Sequence, residues 1–187
     1  MRIKSLFATI ALPIAALGLA APGIAALAPG TSAPLFTAPG AVAGKPMTVD
    51  LKAALRKGPV VLYFFPAAFT PGCNAEAHAF AEALPEFRKA GASVIGMTAG
   101  NVDQLARFSS EQCAGKFAVA AASPTIARGY DVLRRAADGS VGTMTTRTSF
   151  VIAPSGKILF VHDNASPADH IRLTLEAVRK YRAAKKG

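Results

Sequence analysis

The chain of 187 residues has two cysteines, three histidines, and eleven acidic side chains against 21 basic ones. Two cysteines allow at most one disulfide. The histidines, His78, His162 and His170, share no ligand spacing with a cysteine or carboxylate. That excludes an evident metal site and leaves them as structural or surface residues. Glycine-rich phosphate loops are missing, and Pro154-Ser155-Gly156 is only a turn, so nothing suggests a nucleotide cradle or another bound cofactor. A C-x-x-C pair is missing as well, since Cys73-Asn74-Ala75-Glu76 carries one thiol. The formal charge is +10, yet no run of cations is interleaved with aromatics, which argues against a nucleic-acid partner. Arg179, Lys180, Arg182, Lys185 and Lys186 gather at the end of the last helical stretch, where they complement its dipole. Internal repeats are absent.

No uninterrupted apolar run reaches the roughly 20 residues that a membrane span needs. The nearest approach is Ser5 to Ala21, broken by Pro13 and followed by Pro22 and Gly23. Arg2 and Lys4 precede it and small residues follow, the layout of a secretory signal peptide spanning residues 1–25. Gly23-Ile24-Ala25 and Ala26-Leu27-Ala28 are the candidate cleavage sites. The second ends just before Pro29, a poor residue to follow a cut, so cleavage is placed after Ala25. Neither a lipid-acceptor cysteine nor a twin arginine accompanies the cut. The expectation is an exported protein of the periplasm or cell envelope, with no stable membrane insertion after cleavage. Residues 26–187 then form a single domain, long enough to bury a full core.

Along that domain, Pro29 to Pro46 is rich in Pro, Gly and Ala and reads as an N-terminal arm. Met47 to Leu51 reads as a short edge strand and Leu51 to Arg56 as a helical turn. Ala92 to Ala99 is a second apolar strand, and Asn101 with Gln104 is a capping pair for a helix running to about Cys113. Phe117 to Ala121 reads as a third strand and Thr125 to Leu133 as a short helix. Met144 to Ala153 and Lys157 to His162 flank a hairpin turn. Ser166 precedes Pro167 and Asp169 as the N-cap of a last helix. Strands alternating with helices, then a hairpin and a final helix, describe an α/β sandwich.

The chain is organised around Val60 to Phe80. Val60 to Phe65 is a continuous apolar, β-branched and aromatic run, the mark of a strand covered on both faces. Pro66 stops it, and Ala67 to Gly72 form a loop. From Cys73 onward Ala77, Phe80, Ala81, Leu84 and Phe87 recur at helical spacing, with Pro85 expected to kink the helix. Strand, helix and the strand at Ala92 make a βαβ unit with parallel strands. The N–H groups at a helix start lack partners inside the helix and act together as a partial positive charge. A thiol placed there has its thiolate form favoured and becomes a nucleophile.

Pro66, Thr70 and Cys73 stand at the spacing P-x-x-x-T-x-x-C, which resembles the active-site loop of the peroxiredoxins. The string Phe69-Thr70-Pro71-Gly72-Cys73, with Glu76 and Ala77 following, is similar to the branch called PrxQ or bacterioferritin comigratory protein. Ala33-Pro34-Leu35-Phe36 resembles the family's A-P-x-F entry segment. The resemblance implies a thioredoxin-like fold, a central mixed sheet flanked by helices. It also implies a thiol-dependent peroxidase that needs no cofactor. Cys73 would attack the peroxide, Thr70 would hydrogen-bond thiolate and peroxide, and Pro66 would shield the sulfur from water. Arg147, before Thr148-Ser149-Phe150-Val151-Ile152, matches the family's R-x-x-F-V-I and would stand beside Cys73. Glu76 either holds an arginine in place or is an ordinary first-turn acid.

Many PrxQ members carry a second thiol five residues after the first, but here that position is His78. Others place it in the following helix, where Cys113 falls, and Cys113 is therefore the expected resolving cysteine. The partners implied are a peroxide and a thioredoxin-like or other dithiol reductant, acting on a monomer or weak dimer. Other readings stay open at this level. They are a one-cysteine enzyme, a thiol–disulfide oxidoreductase of the same fold, and a binding domain in which Cys73 and Cys113 form a structural disulfide.

Overall fold

The computed structural model describes residues 26–185. The signal peptide read from the sequence and Lys186 lie outside the described residues. Seven strands form one mixed sheet in the order β2-β1-β5-β4-β3-β8-β9. They are β1 (Thr37–Val42), β2 (Lys45–Asp50), β3 (Val60–Phe64), β4 (Ser93–Thr98), β5 (Ala118–Ala121), β8 (Thr148–Ile152) and β9 (Ile158–Asp163). β3, β4 and β5 run parallel, as a βαβ crossover demands, while β8 lies antiparallel to β3. β6 (Leu133–Arg135) and β7 (Val141–Thr145) form a separate ribbon.

Every residue of β3 is buried, because successive side chains feed two different cores. Val60, Leu62 and Phe64 pack with Leu51 and Leu55 of α1 (Leu51–Leu55) and Ala127 of α4 (Pro124–Gly129). Val61, Tyr63 and Phe65 pack with Phe80 and Phe87 of α2 (Pro71–Lys89), Phe108 of α3 (Leu105–Glu111) and Val178 of α5 (His170–Ala184). Tyr63 stacks on Phe80 with ring centroids 4.4 Å apart. The sheet is thus covered on both faces, and the loop leaving the interior strand β3 leads into α2.

Several boundaries differ from the sequence reading, each for a local reason. The Pro29–Pro46 arm pairs from Thr37 onward as β1, against β2 and β5. Gly40 permits this, since a Cβ there would come within 2.4 Å of the Val119 carbonyl oxygen. α2 continues through Pro85. The short helix ends at Gly129 rather than Leu133, which belongs to β6. Asn101 does not cap: it adopts φ +55° and its Nδ2 donates to the Ala68 carbonyl at 2.8 Å. A 3-10 turn follows, and α3 ends at Glu111, which puts Cys113 in the turn beyond the helix.

The segment Met144 to Ala153 is not one strand. Thr145 ends β7, Thr146 N–H donates to the Val132 carbonyl at 2.7 Å, and Thr146 and Arg147 lie outside both strands before β8 begins. Ser166 is not the N-cap of α5. Ser166 accepts from the Ala168 N–H at 3.4 Å, Asn164 Oδ1 accepts from the Ser166 N–H at 2.8 Å, and α5 starts only at His170. Side chains that satisfy nearby backbone groups in this way compete with helix formation.

Candidate active site

Pro71 occupies the first turn of α2, where its missing N–H costs nothing, and Thr70 precedes it with extended backbone, φ −95° and ψ 148°. Cys73 is therefore the third helical residue. The Thr70 side chain makes no cap hydrogen bond. Its hydroxyl donates instead to the Ala67 carbonyl at 3.1 Å. Among the described residues no acceptor takes the N–H of Gly72 or Cys73. Those free donors are the source of the helix-start field at the sulfur.

The loop from β3 to α2 is held by side chains on its own backbone. The Phe65 carbonyl accepts from Thr145 Oγ1 at 2.7 Å, Pro66 from Thr98 Oγ1 at 3.0 Å, Ala67 from Thr70, and Ala68 from Asn101. Each successive carbonyl thus has a donor from another part of the chain or from the next turn. Phe69 sits at φ +61°, a left-handed conformation that costs an aromatic residue about 1–3 kcal/mol. The Arg107 guanidinium carbon lies 4.2 Å from its ring centre, and the Phe108 ring meets it edge-on at 5.4 Å.

Cys73 is 1% exposed, with a guanidinium beside it. Arg147 Nη2 lies 3.6 Å from Cys73 Sγ, Nη1 donates to Glu76 Oε2, and Nε donates to the Ala165 carbonyl at 2.9 Å. All three guanidinium nitrogens therefore have a directed acceptor. Gly72 leaves room for the group, since a Cβ there would stand 3.1 Å from Nη2. The break between β7 and β8 delivers Arg147 here from residues distant in sequence. Of the two roles open to Glu76, this geometry matches the holder of an arginine, because the carboxylate is fully buried and ion-paired. Burial pushes its carboxyl up to about 8, against the pull of Arg147.

Cys113 is also free and fully buried, in the same core cluster as Cys73. Burial pushes its thiol well above the ordinary cysteine range. Tyr63 shares that core, and its hydroxyl is buried without a hydrogen-bond partner.

His170 escaped the sequence reading, which grouped it with structural and surface histidines. It is fully buried, and its Nδ1 lies 3.7 Å from Glu76 Oε1. No local motif signals this, because the proximity is made by α5 docking against α2. Burial holds His170 down to about 4 from its ordinary 6.5. A histidine lowered in the fold stabilises above its unfolded value and loses that contribution as pH falls from 6.5 through 4. The expected loss is about 2–4 kcal/mol. Denaturant melts of wild type and His170→Gln at several pH values should show this acid-side loss in the wild type alone.

The AhpC/TSA family matches residues 29–161. The chain belongs to this family. It is a peroxiredoxin, a thiol-dependent peroxidase of the PrxQ or bacterioferritin comigratory type, on a thioredoxin-like fold. Peroxiredoxin Bcp of Xanthomonas campestris is 28% identical over 123 residues, covering 65% of this chain and 77% of its own. A chloroplastic peroxiredoxin Q of Gentiana triflora is 33% identical over 119 residues, covering 63% of this chain and 53% of its own. The crystal structure of peroxidoxin BcpB from Mycobacterium tuberculosis superposes with a TM-score of 0.71 at 31% identity, over 81% of this chain and 96% of that one. For a peroxiredoxin, the useful feature of this site is that a helix start and a cation converge on one sulfur from different parts of the fold.

Proposed function

We propose that Cys73 is the peroxidatic residue of this peroxidase and that Arg147 stabilises the charge that develops as the O–O bond breaks. The observation that carries the assignment is the 3.6 Å approach of Arg147 Nη2 to Cys73 Sγ. The Cys73 thiolate attacks one oxygen of the hydroperoxide, an S–O bond forms, and the O–O bond breaks. The second oxygen leaves with the electron pair, takes a proton and departs as water or an alcohol. Cys73 is left as a sulfenic acid. The Thr70 hydroxyl, already donating to Ala67, keeps lone pairs that can accept from the peroxide O–H. Pro66 shields the sulfur from water in this reading, and Glu76 holds Arg147.

The Cys113 thiol then displaces water from the sulfenic acid, forming an intramolecular disulfide that an external dithiol of thioredoxin type reduces. Because both sulfurs are buried, this step requires local opening of the Cys73 turn or the turn carrying Cys113. Hydrogen peroxide and small organic hydroperoxides are the substrates. The organic class is supported by the bacterioferritin comigratory protein of Xanthomonas campestris, a relative with alkyl peroxide reduction activity. The apolar N-terminal stretch supports export to the periplasm or envelope after cleavage near Ala25, as a monomer or weak dimer.

Mass spectrometry after one equivalent of peroxide tests resolution. The expected product is a Cys73–Cys113 linkage within one chain, and Cys113→Ser should leave a persistent sulfenic acid on Cys73. A persistent sulfenic acid in the wild type, or only intermolecular links, would overturn Cys113 as the resolving cysteine of its own chain.

A further inference from the structure

The turn after β9 is pinned at consecutive residues by two side chains. Asn164 N–H donates to the Arg147 carbonyl at 3.2 Å, and the Ala165 carbonyl accepts from Arg147 Nε at 2.9 Å. Between these contacts, the Asn164 carbonyl lies 3.0 Å from His170 Nε2. A carbonyl only accepts, so Nε2 carries the hydrogen and the neutral ring presents Nδ1 as an acceptor. Ser149 Oγ lies 2.8 Å from Nδ1 and supplies that hydrogen. Glu76 Oε1, 3.7 Å away, is out of hydrogen-bond reach and has no other partner. His162 packs edge-on against the same ring at 4.5 Å. One buried imidazole, at the first residue of α5, thereby joins β8 to the turn whose carbonyl receives Arg147.

Resting on the reading that Arg147 acts at Cys73, we propose that His170 and Ser149 are positioning residues for peroxide reduction. They fix the Asn164–Ala165 backbone, and that backbone fixes Nε of Arg147. With Nε held, the planar guanidinium has little freedom, and its other two nitrogens fall on Glu76 and Cys73. Without the ring, the Asn164 carbonyl loses the donor that holds it, the turn relaxes, and the guanidinium swings away from the sulfur. The atoms that touch the peroxide are unchanged.

The test is a double-mutant cycle on the rate constant for loss of the Cys73 thiol with hydrogen peroxide, measured in single turnover. His170→Leu should slow it about 10- to 100-fold, the scale expected when a reacting group is misplaced by about 1 Å. His170→Gln, which can still donate to Asn164, should recover most of the rate. In an Arg147→Ala background, His170→Leu should change little further. If the leucine variant does not fold, Ser149→Ala is measured in the same two backgrounds, with a smaller loss expected only where Arg147 is present. An equal fold-loss with and without Arg147, or glutamine no better than leucine, would make His170 merely structural and overturn the inference. A wild-type rate for Arg147→Ala alone would instead overturn the assignment of Arg147 on which the inference rests.

Discussion

Cys73→Ser should reduce peroxide turnover to the uncatalysed background, a loss of at least about four orders of magnitude, the scale seen when an enzyme's nucleophile is removed. The serine hydroxyl occupies nearly the same volume at the same helix start and can still accept from Arg147. It is not ionised near neutral pH, however, and it cannot be oxidised through a sulfenic acid. The fold should survive, because a buried free cysteine packs as a small apolar group, and the melting temperature serves as the control. Cys113→Ser supplies the contrast. Its first oxidation step, followed by loss of the Cys73 thiol with stoichiometric peroxide, should match the wild type, while steady turnover with a dithiol slows. If Cys73→Ser retained more than about 1% of the wild-type rate, the nucleophile would have to be sought elsewhere.

Arg147→Ala should lower the same rate constant by about 10²–10³, the usual consequence of removing one directed donor from a developing anion. Its effect on stability should depend on pH. Arg147 is the only ion-pair partner of Glu76 besides the distant His170 ring among the described residues. Removing one member of a buried pair costs about 3–5 kcal/mol when the other must stay charged. Glu76 need not stay charged, since burial already raises its carboxyl to about 8 with Arg147 present, and loss of the arginine raises it further. A carboxyl raised in the fold stabilises below its unfolded value, 4.5, and loses that contribution as pH rises through 8 and beyond. The variant should therefore be little destabilised near pH 6 and clearly destabilised near pH 9. Arg147→Ala combined with Glu76→Gln should restore stability at the high-pH end without restoring the rate. Equal destabilisation of Arg147→Ala at both pH values would show that Glu76 is not the group responsible.

Much of this site was legible along the chain because its parts are local. Val60 to Phe65 is apolar at every position, which only a strand buried on both faces tolerates. Pro66 then stops the strand and Cys73 opens the helical pattern, although the helix itself begins two residues earlier, at Pro71, behind Thr70. Thr70 shows the limit of such reading, because its hydroxyl donates to the Ala67 carbonyl. Cys113 shows another, since a helix pattern running to residue 113 does not reveal that the helix stops at Glu111 and leaves the cysteine in a buried turn. Ser166 failed as a cap because Asn164 and Ser166 use their side chains on the adjacent backbone.

The sequence by itself determined the alternation of strands and helices, the family, and a cysteine at a helix start. These follow from patterns confined to a few consecutive residues, where side-chain period and turn chemistry act directly. The family resemblance placed Arg147 beside Cys73, but only the tertiary structure brought its Nη2 to 3.6 Å from the sulfur, made Glu76 its buried partner rather than a first-turn acid, and set His170 behind them both. Those relations are made by the break between β7 and β8 and by α5 docking on α2. They depend on the order of strands in the sheet and the packing of helices upon it, which no local pattern encodes.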